Sequence, residues 1–390
     1  MRAARRVRTR QHLCLTVLLA VMVLVLLGAA SAQAFTEVTS PTTTVLPNIP
    51  KGTDVFCRDG GVSFLYAGRK VFTFGDTALT RANSVGSTWV TNTMYHTDDA
   101  EPDDGIGGGY NYKTAGQPPL QWVPLTPTEV EYDATHSPSG FVGLWPNAPF
   151  RDPDTGKQYF FFGKVIEHPG AWWDAIGTGI TEVVTLTSPT LRIQHRAGES
   201  EDYILFGPDD GFYGDAAAVW DGHAYAYYAA QGWDFGKLFV ARAPLADEAF
   251  KSRTTWRFWN GSSWVEPASA ATRIIPSGVA PGSIEWNDYL GSWLYTYMEC
   301  LGTRMMMRVA DNLEGPWSEP TPVYTAALGE QDEFPYFGRA HKILEKENGR
   351  TQYISYSVGG MYSGQKIAFV RVRFGDLPAA VSPATWAKLK

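Results

Sequence analysis

Asp59 and Asp76 bracket a short apolar pattern: Gly60-Gly61-Val62-Ser63-Phe64-Leu65-Tyr66, a turn at Ala67-Gly68-Arg69, then Lys70-Val71-Phe72-Thr73-Phe74-Gly75. If this is an antiparallel hairpin, the start of its first strand and the end of its second share one edge of the sheet. Both carboxylates are then expected at the same rim. Two carboxyl groups in one site can divide the work of acetal cleavage. One protonates the leaving oxygen, and the other activates water or attacks carbon. Repulsion between like charges raises one pKa and so supplies the protonated member. Asp59 is read as base or nucleophile and Asp76 as its partner, with Asp215 or Glu285 as a third acid that donates or tunes the proton. The competing reading of the pair is two Asx caps on glycine turns.

The same edge rule places further groups at that rim: Asn147 with Lys164 and Glu167, Asp215 with Trp233, Glu285 with Glu299, and Glu333 with Ser357. Alternation along its strand is the argument against Glu285, since it would turn that side chain off the axis. Trp145, Trp172, Trp173 and Trp233 offer flat faces for sugar rings, although most of the 14 tryptophans are expected to pack between sheets. The substrate-binding candidates are Arg58, Trp145, Asn147, Trp173, Trp233, Glu333 and His341, the last ending the fifth inner strand. The histidines are scattered without zinc-site spacing. The acidic stretch from Asp98 to Gly105 offers oxygens for a structural Ca²⁺ but lacks EF-hand spacing, so a solvated loop is the preferred reading. No metal and no organic cofactor is expected.

These residues need a frame, and the sequence repeats one. The unit is an apolar strand, a glycine turn, and a strand rich in Tyr, Phe and Val. It occurs at Asp59–Phe74, Trp145–Phe162, Asp215–Ala229, Ser283–Met298 and Tyr336–Val358. Asp221-Gly222 and Asn348-Gly349 are dipeptides that suit type I′ hairpins, whose two central residues both need positive φ. The spacing leaves room for four strands per unit, and no long amphipathic helix is evident. The expectation is an all-β fold, a five-bladed β-propeller of four-stranded antiparallel blades, with a two-sheet sandwich as the alternative.

Residues 1–34 combine five arginines, an apolar run from Leu13 to Leu27 and the small-residue exit Ala29-Ala30-Ser31-Ala32-Gln33-Ala34. They read as a secretory signal, with an uncleaved anchor as the alternative. A Thr/Pro-rich lead-in over 35–50 and a single domain over 51–390 would follow. The expected protein is secreted, free of the membrane after cleavage, and monomeric. The chain of 390 residues has net charge −7 and no basic tract beyond its first ten residues, which excludes a nucleic-acid partner and suits a neutral saccharide. Cys57 and Cys300 could pair in an oxidising compartment, and Asn260-Gly261-Ser262 is the only glycosylation sequon.

Several segments resemble a secreted propeller family known as domain of unknown function 4185. They are Arg58-Asp59-Gly60-Gly61, Phe74-Gly75-Asp76-Thr77, Phe239-Val240-Ala241-Arg242-Ala243-Pro244, Ser283-Ile284-Glu285-Trp286-Asn287 and Ala310-Asp311-Asn312-Leu313-Glu314-Gly315-Pro316-Trp317-Ser318. The resemblance implies a glycoside hydrolase. Members of that family are assigned as endo-acting D-arabinan hydrolases, and its architecture is similar to that of family 43 arabinanases and xylosidases, which use acidic residues at the propeller axis. The expected activity is therefore cleavage of arabinofuranosyl linkages in an arabinan-type polysaccharide. The alternative is a carbohydrate-binding propeller without catalysis. A sialidase is disfavoured by the acidic rim and the missing S-x-D-x-G-x-x-W box, and a WD-repeat scaffold by the missing G-H and W-D marks.

Overall fold

The computed structural model describes Val38 and residues 41–170, 172–196, 201–230, 236–361 and 363–377. Five antiparallel sheets follow one another along the chain. The first holds Val62–Tyr66, Arg69–Phe74, Thr93–Thr97 and Tyr110–Asn111. The second holds Phe141–Arg151, Gln158–His168, Trp172–Val183 and Leu191–Arg192. The third carries five strands where four were expected: Ala216–Trp220, His223–Ala229, Leu238–Pro244, Arg257–Trp259 and Trp264–Val265. The fourth holds Gly282–Asn287, Ser292–Met298, Arg304–Ala310 and Thr321–Thr325.

In the fifth sheet, Tyr336–Ala340, Thr351–Val358 and Lys366–Arg373 are joined by Thr42–Leu46 from the other end of the described chain, with Thr42 opposite Arg373 and Leu46 opposite Phe369. A small sheet of Val55–Arg58, Thr77–Leu79 and Trp89–Val90 continues from both ends of the first hairpin.

The first four large sheets are meanders, as are the three later strands of the fifth, and the second strand of each hairpin is largely buried on both faces. Ser292–Met298 has no exposed residue, which explains why SWLYTYM reads as a continuous apolar run rather than an alternating one. The cores lie between consecutive sheets. Phe64, Val71 and Met94 meet Val142, Leu144 and Phe160. Phe150, Tyr159 and Phe161 meet Ala224, Ala226 and Ala241, small residues that admit the rings. Tyr225, Tyr227 and Val240 meet Ile284, Trp293 and Tyr295. The fifth sheet approaches the fourth where a Cβ on Gly338 would lie 2.5 Å from Met305 Sδ. It also shares a core with the first sheet, through Tyr353 and Phe369 against Phe72 and Phe74.

Two local features depart from the sequence reading. The fifth hairpin is not a two-residue turn: its strands stop at Ala340 and resume at Thr351, with two 3-10 turns between them. A helix α1, Pro127–His136, sits before the second sheet and opens on a capping box between Thr126 and Glu129. Glu129 also takes Lys164 at 2.9 Å and pairs with Arg192, so a buried ion cluster pins α1 to the second sheet. Among the described residues no helix is long and apolar enough to cross a membrane. Cys57 and Cys300 are both unpaired thiols.

Candidate active site

The register of the first hairpin sets Val62 opposite Thr73, and the same spacing carried outward sets Asp59 opposite Asp76. Backbone bonds hold that outer rung: Asp59 N–H donates to Asp76 O at 3.1 Å, and Gly75 N–H to Asp59 O at 3.0 Å. Gly60 and Gly61 between them have φ of +76° and +128°, a left-handed excursion that frees Gly60 N–H to bond Ser357 Oγ of the fifth sheet at 2.9 Å. The two aspartates therefore sit together, half-buried, at one edge.

Neighbouring sheets fill in the site. Tyr336, at the start of the fifth sheet, donates its hydroxyl to Asp59 Oδ2 at 2.7 Å and receives Gln365 Nε2 at 2.7 Å. Trp145, from the second sheet, donates its indole N–H to Asp76 Oδ1 at 3.0 Å. Glu167, near the end of the second strand of that sheet, lies close enough to Asp76 for one protonated carboxyl to bond the other. Its Oε1 is buried without a donor from any other described group. Two glycines clear space for these carboxyls: a Cβ would come within 2.5 Å of Asp59 Oδ1 at Gly75, and within 2.4 Å of Glu167 Oε1 at Gly143.

Burial raises all three acids, because the charged form loses hydration. Asp59 rises to about 6, held back by the Tyr336 hydroxyl and backbone N–H groups that favour its carboxylate. Glu167 rises to about 7, chiefly through burial. Asp76 is pushed well above the carboxylate range by burial and then by the charges of Glu167 and Asp59. Three carboxyls this close cannot all ionise near neutrality, so the group holds protons that isolated carboxyls would lose. A carboxylate beside a retained carboxylic acid is the pair that acetal hydrolysis requires.

Aromatic surface adjoins the acids. Trp173 is the register partner of Glu167 and meets Trp145 edge-to-face at 5.3 Å. Trp172, Trp173 and Phe334 are exposed. Asn147 lies half-buried at a bulge where the pairing of Phe141–Arg151 with Gln158–His168 shifts, a feature that re-aims side chains.

Other expected site residues lie elsewhere. Asp215 accepts the Ala229 N–H at 2.8 Å, and its nearest charged neighbour is Arg339; burial lifts it to about 7, but it does not join the Asp59 group. Glu285 sits midway along Gly282–Asn287 and lines a cavity of about 380 Å³ that none of the three acids borders. Arg58 is buried with its guanidinium 3.5 Å from the Phe74 ring, and it donates to Asn111 Oδ1 and Pro50 O, so it braces the fold. His341 is buried and bonded to Ser63 Oγ and Ser355 Oγ, each at 2.8 Å. Burial drives its pKa down to about 3, so it is a neutral strut between the fifth and first sheets.

Glu333 accepts Gln331 N–H at 2.9 Å and a Ser363 hydroxyl, which closes its own loop and lowers its pKa. The acidic loop is spent on cations: Asp103 meets Lys346 and Arg371, each at 2.9 Å, and Glu101 also pairs with Lys346. Trp233 lies outside the described residues.

The edge rule had set Glu167 at the rim without giving it a role. Tyr336 was missed, although it is the register partner of Ser357, which the rule did place there.

A model of the family described as domain of unknown function (DUF4185) matches residues 50–365. No curated protein matches the sequence. Among solved structures, an inferred hydrolase from Bacteroides ovatus ATCC 8483 superposes with TM-score 0.57 at 15% identity, covering 86% of this chain and 96% of its own. The α-L-arabinofuranosidase PaAbf62A of Podospora anserina, in complex with cellotriose, reaches 0.44 at 12% identity over 86% and 97% of the two chains. A family 43 β-xylosidase/α-arabinofuranosidase from a compost microbial metagenome, in complex with xylotriose, reaches 0.46 at 13% identity over 88% and 97%. The first of these likenesses is one of fold.

Proposed function

The chain belongs to the DUF4185 family, and from that premise we propose that it is a secreted glycoside hydrolase that cleaves arabinofuranosyl linkages of an arabinan-type polysaccharide. The observation that carries the reading is the meeting of Asp59, Asp76 and Glu167 beside Trp145 and the exposed Trp173. Asp59, the least raised acid whose shift has a value, acts as base or nucleophile at the anomeric centre, and its oxygen is aimed by Tyr336. Glu167 protonates the leaving oxygen and regains a proton from the attacking water, directly when Asp59 is the nucleophile, or through Asp59 and Asp76 when Asp59 is the base. Glu167 thus takes the role that the sequence suggested for Asp215 or Glu285. Trp173 and Trp145 hold a sugar ring against the acids. The Bacteroides ovatus protein of like fold is itself an inferred hydrolase.

The reading takes the five sheets as blades of one propeller, with the acids at one mouth. It is supported by cores shared between consecutive sheets and between fifth and first, and by the Thr42–Leu46 strand that completes the fifth sheet. The enzyme works as a monomer without an organic cofactor.

The test is incubation of the purified protein with arabinans, galactans and xylans, with products separated by chromatography. Arabinan oligosaccharides should appear with the wild type and be absent with Asp59→Asn and Glu167→Gln. Binding of arabinan by the wild type with no product on prolonged incubation would identify a carbohydrate-binding module instead.

A further inference from the structure

The first strands of all five sheets converge on the cavity of about 380 Å³, which is lined by Ser63, Arg151, Val219, Glu285 and Arg339 among others. That volume lies within the range of small-molecule sites. None of Asp59, Asp76, Glu167, Trp145 or Trp173 borders it.

Its polar groups are unfinished. Arg339 is 2% exposed, and its Nη1 is used by the backbone oxygens of Asp215 and Gly282. Its Nε and Nη2 are buried and bonded to nothing among the described residues. Those two N–H groups form one edge of the guanidinium, the fork that matches both oxygens of a carboxylate. Unpaired buried donors cost free energy, so such an edge calls for an acceptor. Glu285 Oε1, on the same cavity, is likewise buried and unpaired.

The charge of the lining points the same way. Arg339, Arg151 and Lys342 line the cavity with one acid, Glu285, whose carboxyl burial raises to about 8, and Asp215, outside the lining, neighbours Arg339. Lys342 is in part neutralised by Glu345 at 2.5 Å, whereas Arg151 is exposed at the rim with no ion pair among the described residues. The cavity is thus cationic in a chain of net charge −7. Its other walls are apolar, from Val62, Ile284, Trp286 and Trp293, which suits an organic body more than a hydrated inorganic ion.

We propose that this cavity is a second ligand site, separate from the acids at the mouth, that binds a small organic carboxylate of about the size of one sugar acid. The Arg339 fork holds the carboxylate, Arg151 draws the anion in, and the tryptophan walls take the ring. The site does not depend on the hydrolase reading, and its test uses no turnover.

Isothermal titration of the full chain with D-glucuronate, and with D-glucose as its uncharged counterpart, decides the matter. Glucuronate should bind at least tenfold more tightly than glucose. Arg151→Glu, on an exposed side chain, should weaken glucuronate at least tenfold with an unchanged melting curve. Arg339→Lys should abolish binding if it folds; if it does not fold, Arg151→Glu alone carries the comparison. Asp59→Asn should bind glucuronate as the wild type does. Equal affinity for glucose, no heat with glucuronate at millimolar concentration, loss of binding in Asp59→Asn, unaltered binding in Arg151→Glu, or full competition by inorganic phosphate would each overturn the proposal.

Discussion

A methyl group on Gly75 would lie 2.5 Å from Asp59 Oδ1, so the absence of a side chain at position 75 sets where that carboxylate can stand. The obstacle would be the far end of an aspartate and not backbone, so Gly75→Ala should fold and melt within a few degrees of the wild type. The carboxylate would swing away from its place, and kcat should fall by about tenfold or more, as small misplacements of reacting groups do. Gly143→Ala should do the same to Glu167, but it also meets Val165 Cγ2 at 2.6 Å and should cost about 1–3 kcal/mol of stability as well. Thermal melts and arabinan hydrolysis on the same preparations check both. Wild-type kcat in Gly75→Ala would refute the placement of Asp59.

Tyr336→Phe removes the hydroxyl that favours the ionised form of Asp59. The Asp59 pKa should then rise, and the acid limb of the kcat/KM profile should move to higher pH. A role limited to packing would leave that limb where it was.

The pH profile should be a bell. A base must be deprotonated, so activity rises as pH passes the Asp59 value of about 6; an acid must be protonated, so activity falls as pH rises through and above the Glu167 value of about 7. Glu167→Gln should lose the alkaline limb. It should keep far more activity on aryl arabinofuranosides with good leaving groups than on arabinan, because such groups need no protonation.

Folding stability should respond to pH through a buried acid away from the mouth. Glu285 has a folded pKa of about 8 against an ordinary value of 4.5, so the unfolded chain gives up its proton first, and folding stability declines as pH rises between those values. Glu285→Gln should therefore raise the melting temperature, by more at pH 8 than at pH 5. An equal effect at both pH values would contradict the burial of that carboxyl.

His341→Ala should lower stability by about 2–4 kcal/mol, since it opens a void and strands two serine hydroxyls between sheets. Trp173→Ala, on an exposed ring, should leave melting unchanged and raise KM several-fold with little effect on kcat.

The meeting of Asp59 with Asp76 was legible in the sequence because hairpin register is arithmetic: once the turn is fixed, partners follow by counting. The same counting put Glu167 at the edge, but its contact with Asp76 crosses from one sheet to another and depends on the space left by Gly143, which no pattern within either strand encodes. Arg58 and His341 were misplaced for a related reason. Their residue types suggest solvent, yet stacking on Phe74 in one case and bonding between two serines in the other absorb them into the interior. Glu285 sits on a first strand as expected, and depth along that strand separates it from the mouth, whereas Asp215 precedes its strand and turns its carboxylate to the Ala229 N–H. The capping box of α1 lies at Thr126-Pro127-Thr128-Glu129, in a stretch where the strand pattern gave no reading, and the fifth strand of the third sheet is a two-residue pair too short to leave a period.

Thr42 and Arg373 are partners although 331 residues separate them. During synthesis Thr42–Leu46 must wait, unpaired, until Lys366–Arg373 has emerged. Closing so long a loop is entropically costly and slow. A translation product halted before residue 366 would lack the partner for Thr42–Leu46 and leave Thr351–Val358 as a bare, sticky margin, open to proteases and to association with other incomplete chains.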